Sequence, residues 1–313
     1  MPPGIGASGV MGLAVETVPG TYVAPTVFFP FNSETLQYMQ ETNWRRPIRN
    51  SASIIGAVPG NVHTEGEITM EALSDIVPWF LLAARTDVVE DDTDAPVFEY
   101  EFTPSPRAVP AKTLSLTVVR NGIVFGYTGI VVAGFTFSID NGLLNFNVNV
   151  LGSDEAVQSN PSPTWPTTTP FGAGQYSIEM PTATPITDMD SFSWQTEDNG
   201  EPQYRLRGGG ERGAKFIKFG EHNSTLTAER DFESRTDYDA FKALTAQSLT
   251  LTATKGPDEF IELELTAAIK DTYAVNLSGQ GDLVRGSVSY QAVADSAGID
   301  YKIMVRGTTD LNL

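Results

Sequence analysis

Apolar and polar residues alternate with a period of two through most of this chain. That pattern predicts half-buried β-strands. The clearest examples are KTLSLTVVRNG (112–122) and QSLTLTATKGP (247–257). At an offset of 135, Leu114 and Leu116 fall on Leu249 and Leu251, Thr117 on Thr252 and Arg120 on Lys255. Two short segments read instead as helices, ALSDIVPWFLLAA (72–84) and TDYDAFKAL (236–244). In the second, Thr236 is placed to cap, and Tyr238, Phe241 and Leu244 make one apolar stripe. Hairpins are expected at FTFSIDNGLLNFNVNV (135–150), which turns at Asn141-Gly142, and at YAVNLSGQGDLVRGSVSY (273–290).

These elements recur in one order, so the chain reads as a duplication. Trp44-Arg45 lies opposite Tyr204-Arg205, and Gly60 opposite Gly220, at an offset of 160. His63 matches His222, Ile68-Thr69 match Leu226-Thr227, and Phe137 and Ile139 match Val275 and Leu277. The expected organisation is an N-terminal arm (1–31), a first module (32–157), a Pro/Thr-rich linker (158–185) and a second module (186–313). The arm is expected to be extended rather than part of a core, and 85–111 is expected to be an extra loop. The fold class is mainly β: two similar β-sandwich or half-barrel modules, each with a short flanking helix.

Composition narrows the functions open to the chain. Apolar residues make up 41% and charged residues 19% of 313 residues, as in a soluble globular protein. The net charge of −19 disfavours a surface that grips nucleic acid through its phosphates, or one that docks on anionic lipid. There are no cysteines, which excludes disulfides and thiolate chemistry. The first basic residue is Arg45, and no run of about 18 apolar residues occurs, so neither a secretory leader nor a membrane span is expected. Folding in a cytoplasm is the expectation.

Against this background the run GLAVETVPGTYVAPTVFFPFNSETL (12–36) resembles the opening of phage major tail tube proteins. The matching residues are Gly12, Glu16, Thr17, Gly20, Thr21, Ala24, Pro25, Ser33 and Glu34. NVHTEGEITMEAL (61–73), AKTLSLTVVRNG and NVNVLG (147–152) extend the likeness over nearly the whole chain. The resemblance implies a structural, non-enzymatic subunit of a long-tailed, non-contractile phage. It would assemble in the host bacterial cytoplasm and reside in the virion tail. Modules would join into a β-barrel around a lumen, rings would stack, and duplex DNA would pass without adhering. A double-module chain implies trimeric, pseudo-hexameric rings. The implied partners are the chain itself and the tail terminator, tape measure and distal tail proteins.

The resemblance gives a role to one loop, and charge and alternation suggest roles for further residues. NWRRPIRNSASIIGAVPG (43–60) resembles an extended loop that reaches the next ring, with Ile54, Ile55 and Val58 at its tip; the alternative is a loop folded back on its own module. Phe28, Phe29 and Phe31 of the arm are a second candidate for packing between rings. Two matched basic clusters, Arg45, Arg46 and Arg49 with Arg205, Arg207 and Arg212, either pair with carboxylates of a neighbouring subunit or are ordinary surface arginines. Glu262 and Glu264 are candidates for an acidic lumen. A carbohydrate-binding or glycoside-cleaving β-sandwich is the alternative, with Trp44, Trp165 and Trp194 as its aromatics. A tube from a contractile tail or secretion machine is a third reading.

No catalytic, cofactor or metal residues are assigned. His63 and His222 have no further ligands at metal spacing and read as polar turn residues. VVEDDTDAP (88–96) lacks the central Gly and final Glu of a calcium loop, and RLRGGGERG (205–213) lacks the Gly-Lys-Ser/Thr of a phosphate cradle.

Overall fold

The computed structural model describes residues 6–49, 53–181, 183–206, 212–232, 235–277 and 283–313. Arg207 therefore lies outside the described residues.

The first half runs β1 (Val10–Val15), β2 (Val27–Phe28), β3 (Ser33–Glu34), β4 (Gln37–Arg45), β5 (Gly56–Glu71), α1 (Val77–Leu82), β6 (Thr86–Asp91), β7 (Phe98–Pro104), β8 (Leu114–Arg120), β9 (Ile123–Asp140), β10 (Leu143–Gly152) and β11 (Asp154–Val157). The second runs β12 (Tyr176–Glu179), β13 (Met189–Glu197), β14 (Glu201–Gln203), β15 (Phe216–Lys218), β16 (Asn223–Asp231), α2 (Thr236–Lys242), β17 (Gln247–Gly256), β18 (Glu259–Asn276), β19 (Arg285–Ala292) and β20 (Tyr301–Gly307). The mainly β expectation is borne out.

Strand pairing repeats between the halves. The ladder β5–β10–β9–β8 in the first half is matched by β16–β19–β18–β17 in the second. Asn141-Gly142 turns β9 into β10, with φ of 50° and 75° that suit a type I′ hairpin. Each 18-residue strand, β9 and β18, belongs to two sheets. In β9 the change comes at Gly129, which takes φ +63° and whose N–H is bound by the Glu16 carboxylate. One register shift spans this point, between Tyr127 and Ile130, and a second follows between Val132 and Gly134; they bend the strand, as bulges do. One such shift, at Lys270/Thr272 of β18, corrects the sequence match. Phe137 pairs with Phe146, and its counterpart Tyr273 pairs with Val288, so Phe137 corresponds to Tyr273 rather than Val275.

The C-terminal parts of β9 and β18 lie in a shared sheet of order β3–β5–β10–β9–β13–β16–β19–β18. Their N-terminal parts lie in two further sheets, β2–β1–β8–β9–β11 and β12–β17–β18–β20–β7–β6. These pack on the shared sheet to make a sandwich with one contiguous core. Trp194 of the shared sheet meets Tyr301 of β20 edge-on at 5.2 Å, and Phe135 meets the same ring at 6.2 Å.

Several segments differ from their sequence reading. The arm is not wholly extended outside the core: β1 pairs along β8, and Met11 and Leu13 are completely buried. Gly and Pro hid a strand whose apolar residues sit between two neighbours. Residues 85–111 are no mere loop, because β6 and β7 form a hairpin that continues the second half's sheet through β20. Tyr100 and Phe102 supply the apolar alternation that anchors it. Within 158–185, β12 pairs with β17, and Phe171 is buried. Helix α1 is shorter than expected because Ala72 still donates to Leu144 O in the sheet, and Pro78 marks the first turn. In α2 the cap position falls on Arg235, and Leu244 lies beyond the helix, exposed, with φ 51°. The stripe reduces to Tyr238 and Phe241, both packed on Tyr273.

Candidate assembly surfaces

The shared sheet has one apolar and one polar face. Its core face carries Phe135, Phe137, Phe146, Val148, Trp194, Leu226, Val288 and Tyr290, all buried. Because strand side chains alternate, the intervening residues form the other face. Read across the strands, one row is Thr69, Asn147, Thr136, Gln195, Thr225 and Gln291. The next is Glu71, Asn145, Ser138, Ser193, Thr227, Ser289 and Thr272. Hydroxyls and amides dominate, with carboxylates at Glu67, Glu71, Glu197 and Glu229. Among the described residues of these strands, Arg285 is the only cation on this face, and it pairs with Asp190 at 2.8 Å and Asp231 at 3.7 Å. Apart from that paired arginine, the described residues of this face offer no fixed positive charge to hold phosphate.

Both ends of the shared sheet are open. Among the described residues, β3 pairs only with β5, and the 269–276 part of β18 pairs only with β19. Beside β3 lies a groove of about 870 Å³, lined by Phe31, Glu34, Val119, Arg120 and Trp165 among others.

The β4–β5 hairpin projects from the sheet. Its outer part is exposed on both strands, and Trp44, Ile48, Ile54 and Val58 lie bare on it. Ile55 is partly covered. Arg45, Arg46 and Arg49 are exposed on the same projection. The matching hairpin of the second half, β14–β15, behaves differently. Ala214, Ile217 and Phe219 fold back on Val131 in a small separate cluster. There Arg205 lies over the Phe216 ring at 5.4 Å, and Arg212 donates to Gln40 Oε1 at 3.2 Å and Gly60 O at 3.3 Å. Arg212 thus serves its own chain by holding the base of the first hairpin.

Two aromatics of the arm leave the candidate surface. Phe29 is completely buried and meets Phe80 edge-on at 5.4 Å, and Phe28 is nearly so. They belong to the core of the single chain, because β1 and β2 bring the arm inside. Phe31 stays partly exposed in the groove beside β3. Trp194 is also buried and cannot serve as a sugar platform, while Trp44 and Trp165 are exposed.

Glu262 and Glu264 stand on the N-terminal part of β18, in the sheet with β17 and β20, not on the shared sheet. Glu262 accepts from Thr252 Oγ1 at 3.0 Å. Burial raises its pKa above the usual carboxylate value, with Glu264, Glu179 and Glu99 adding to the rise.

Some structural roles escaped the sequence reading. Glu16, buried, accepts hydrogen bonds from Gly20 N, Thr113 Oγ1, Ser115 Oγ and Gly129 N. That explains the spacing of Glu16 and Gly20: Glu16 ties the arm's turn to the bend in β9. His63 lies within β5 and bonds Tyr204 OH at 2.9 Å. His222 is no simple turn residue either. It sits between Asp198 (2.8 Å) and Asp300 (3.2 Å). Burial alone would lower its pKa, but the two carboxylates outweigh burial and push it up to about 9. A lone histidine in a sequence carries no sign of partners 24 and 78 residues away.

No group of His, Asp or Glu among the described residues is arranged to hold a metal ion. No described helix is long and apolar enough to cross a membrane. Comparison with curated proteins returns no relative. A family model described as phage tail tube protein matches residues 6–292. With nearly its whole length matched, and with the β-rich sandwich that such a subunit requires, the chain belongs to the phage tail tube protein family.

Proposed function

We propose that three copies close into a ring, that rings stack into the tail tube, and that duplex DNA passes along the bore. The observation that carries this reading is the shared sheet: eight strands, one polar face almost free of cations, and an unpaired edge at each end. An exposed edge on a long sheet is a hazard unless something covers it, and closure covers both. Three copies give about 24 strands. At about 4.8 Å per strand and a tilt of about 40°, the circumference is roughly 150 Å and the backbone diameter about 48 Å. Duplex DNA fits such a bore with a layer of water. Eight strands alone would close on a side-chain-filled core.

In this reading the hydroxyl, amide and carboxylate rows line the bore. Glu67, Glu71, Glu197 and Glu229 replace Glu262 and Glu264 as the lumen-facing acids. A weakly acidic, hydrogen-bonding wall repels phosphate while keeping its own hydration, so the duplex stays centred and mobile. The β4–β5 projection, with Trp44, Ile48, Ile54 and Val58, serves as the contact to the next ring. Arg45, Arg46 and Arg49 on it meet acidic surface there. An exposed apolar cluster on a projecting ribbon has the character of a partner surface. Terminator, tape measure and distal tail proteins would meet the tube at its ends and within its bore.

Negative-stain microscopy of the purified protein across a concentration series tests the reading. Rings and tubes with a stain-filled centre are expected. A chain that remains a 33.8 kDa monomer at all concentrations would refute it.

A further inference from the structure

On the ring reading, the protein contains an internal counterpart of the junction between chains. Between the halves, β9 pairs with β13, with Phe137 opposite Trp194 and Ser138 opposite Ser193. The strands on either side repeat in register. Ile68 of β5 pairs with Val148 of β10, as Leu226 of β16 pairs with Tyr290 of β19. Leu226 also pairs with Trp194, and Ile68 pairs with Glu34. Glu34 therefore stands where Trp194 stands, and Ser33 where Ser193 stands. At the other end, Tyr273 and Ala274 pair with Val288 and Ser287 as Phe137 and Ser138 pair with Phe146 and Asn145. In the internal junction both positions have found their partners. At the two ends of the sheet neither has one among the described residues.

From this we infer that β3 of one copy pairs antiparallel with the 272–275 stretch of β18 in the next, with Ser33 opposite Ala274 and Glu34 opposite Tyr273. The inference rests on the ring reading and adds the strands, direction and register of the contact. The occupant is a second copy of this chain, because in the internal junction the counterparts of these two strands, β13 and β9, are already joined.

The side chains fit that assignment. Ser33 and Ala274 are both exposed, so neither strand must be uncovered first. The stacked apolar pair of the internal junction, Phe137 and Trp194 at 6.0 Å, is replaced at the ends by a phenol and a carboxylate. An end that meets water before assembly has reason to be polar, whereas a junction that forms with the fold does not. Glu34 is held in place by Arg120, with Nε and Nη2 donating at 2.8 and 2.6 Å. The groove beside β3 provides the space for the incoming strand. The contact is heterologous: β3 and β18 are different surfaces, so copies join head to tail and close a ring rather than pairing off.

Because the chain has no cysteines, engineered thiols report on one contact at a time. Directly opposed residues on antiparallel strands lie within about 4.5–5.5 Å and suit a disulfide. The test is mild oxidation of S33C/A274C, with S138C/S193C as the internal positive control and each single variant as a negative control. S138C/S193C should close within one chain. S33C/A274C, under assembly conditions, should give covalent dimers and trimers on non-reducing gels, with nothing larger. Each single variant should remain uncrosslinked, since neither strand meets its own copy. Tubes of S33C/A274C that are visible by microscopy but form no intermolecular bond, while the internal control does, would overturn the register and leave the tube reading standing. A ladder extending well past three chains would overturn closure by three copies. If wild-type protein never assembles, the inference falls together with the reading beneath it.

Discussion

Raising pH should weaken this fold below the range where tyrosines titrate, and His222 is the reason. Its ring bridges Asp198, which follows β13, and Asp300, which precedes β20, so it ties the shared sheet to the sheet packed on it. Its pKa rises from 6.5 to about 9 on folding. A group whose folded pKa is raised contributes stability that is fully present below the unfolded value and is lost as pH rises through the folded one. The window is therefore pH 6.5 to about 9. At 1.36 kcal/mol per unit, a rise of about 2.5 units corresponds to about 3 kcal/mol. Urea unfolding at pH 6.5, 7.5, 8.5 and 9.5 should show the wild-type midpoint falling through the series. H222Q removes the titrating group, so its midpoint should start lower at pH 6.5 and stay nearly flat. Buried Tyr127 and Tyr290, whose pKa values burial pushes to about 12, destabilise the fold only above pH 10. They leave the window clear. If wild type and H222Q lose stability in parallel between pH 6.5 and 9, the ion-pair reasoning is wrong.

Three further outcomes follow from the packing. Phe29→Ala should cost about 3–5 kcal/mol in urea unfolding of the monomer, because Phe29 fills the core against Phe80; a loss below 1 kcal/mol would return it to the list of assembly residues. I54S/V58S should leave the unfolding midpoint within error of wild type while stopping tube growth in negative stain, and tubes of normal length would remove the hairpin from the stacking contact. Glu16→Gln replaces an acceptor of four hydrogen bonds with a side chain that carries donors as well. It should lower stability by about 2–3 kcal/mol and speed proteolysis within residues 16–26; an unchanged midpoint would deny Glu16 its anchoring role.

Much of this protein can be read along the chain. Period-two alternation in 114–120 and 249–255 marks strands because a sheet buries one face, and that requirement is local. Asn141-Gly142 marks its hairpin because its backbone preference is local too. The repeat was visible for the same reason: each half keeps its own strand order. What the sequence could not decide was pairing between residues far apart. Nothing near 10–15 shows that β8 will cover it, so Gly and Pro made a core strand look like a free arm. Nothing near 86–104 shows that β20 waits to be extended. The side of the sandwich on which Glu262 stands depends on where β18 bends, and the bend comes from bulges set by its neighbours. His222 reads as an ordinary polar residue until tertiary structure brings Asp198 and Asp300 to its two nitrogens. Local physics wrote the strands and turns into the sequence, whereas burial, register and the two open edges are properties of the assembled sheets, fixed only when distant segments pack together.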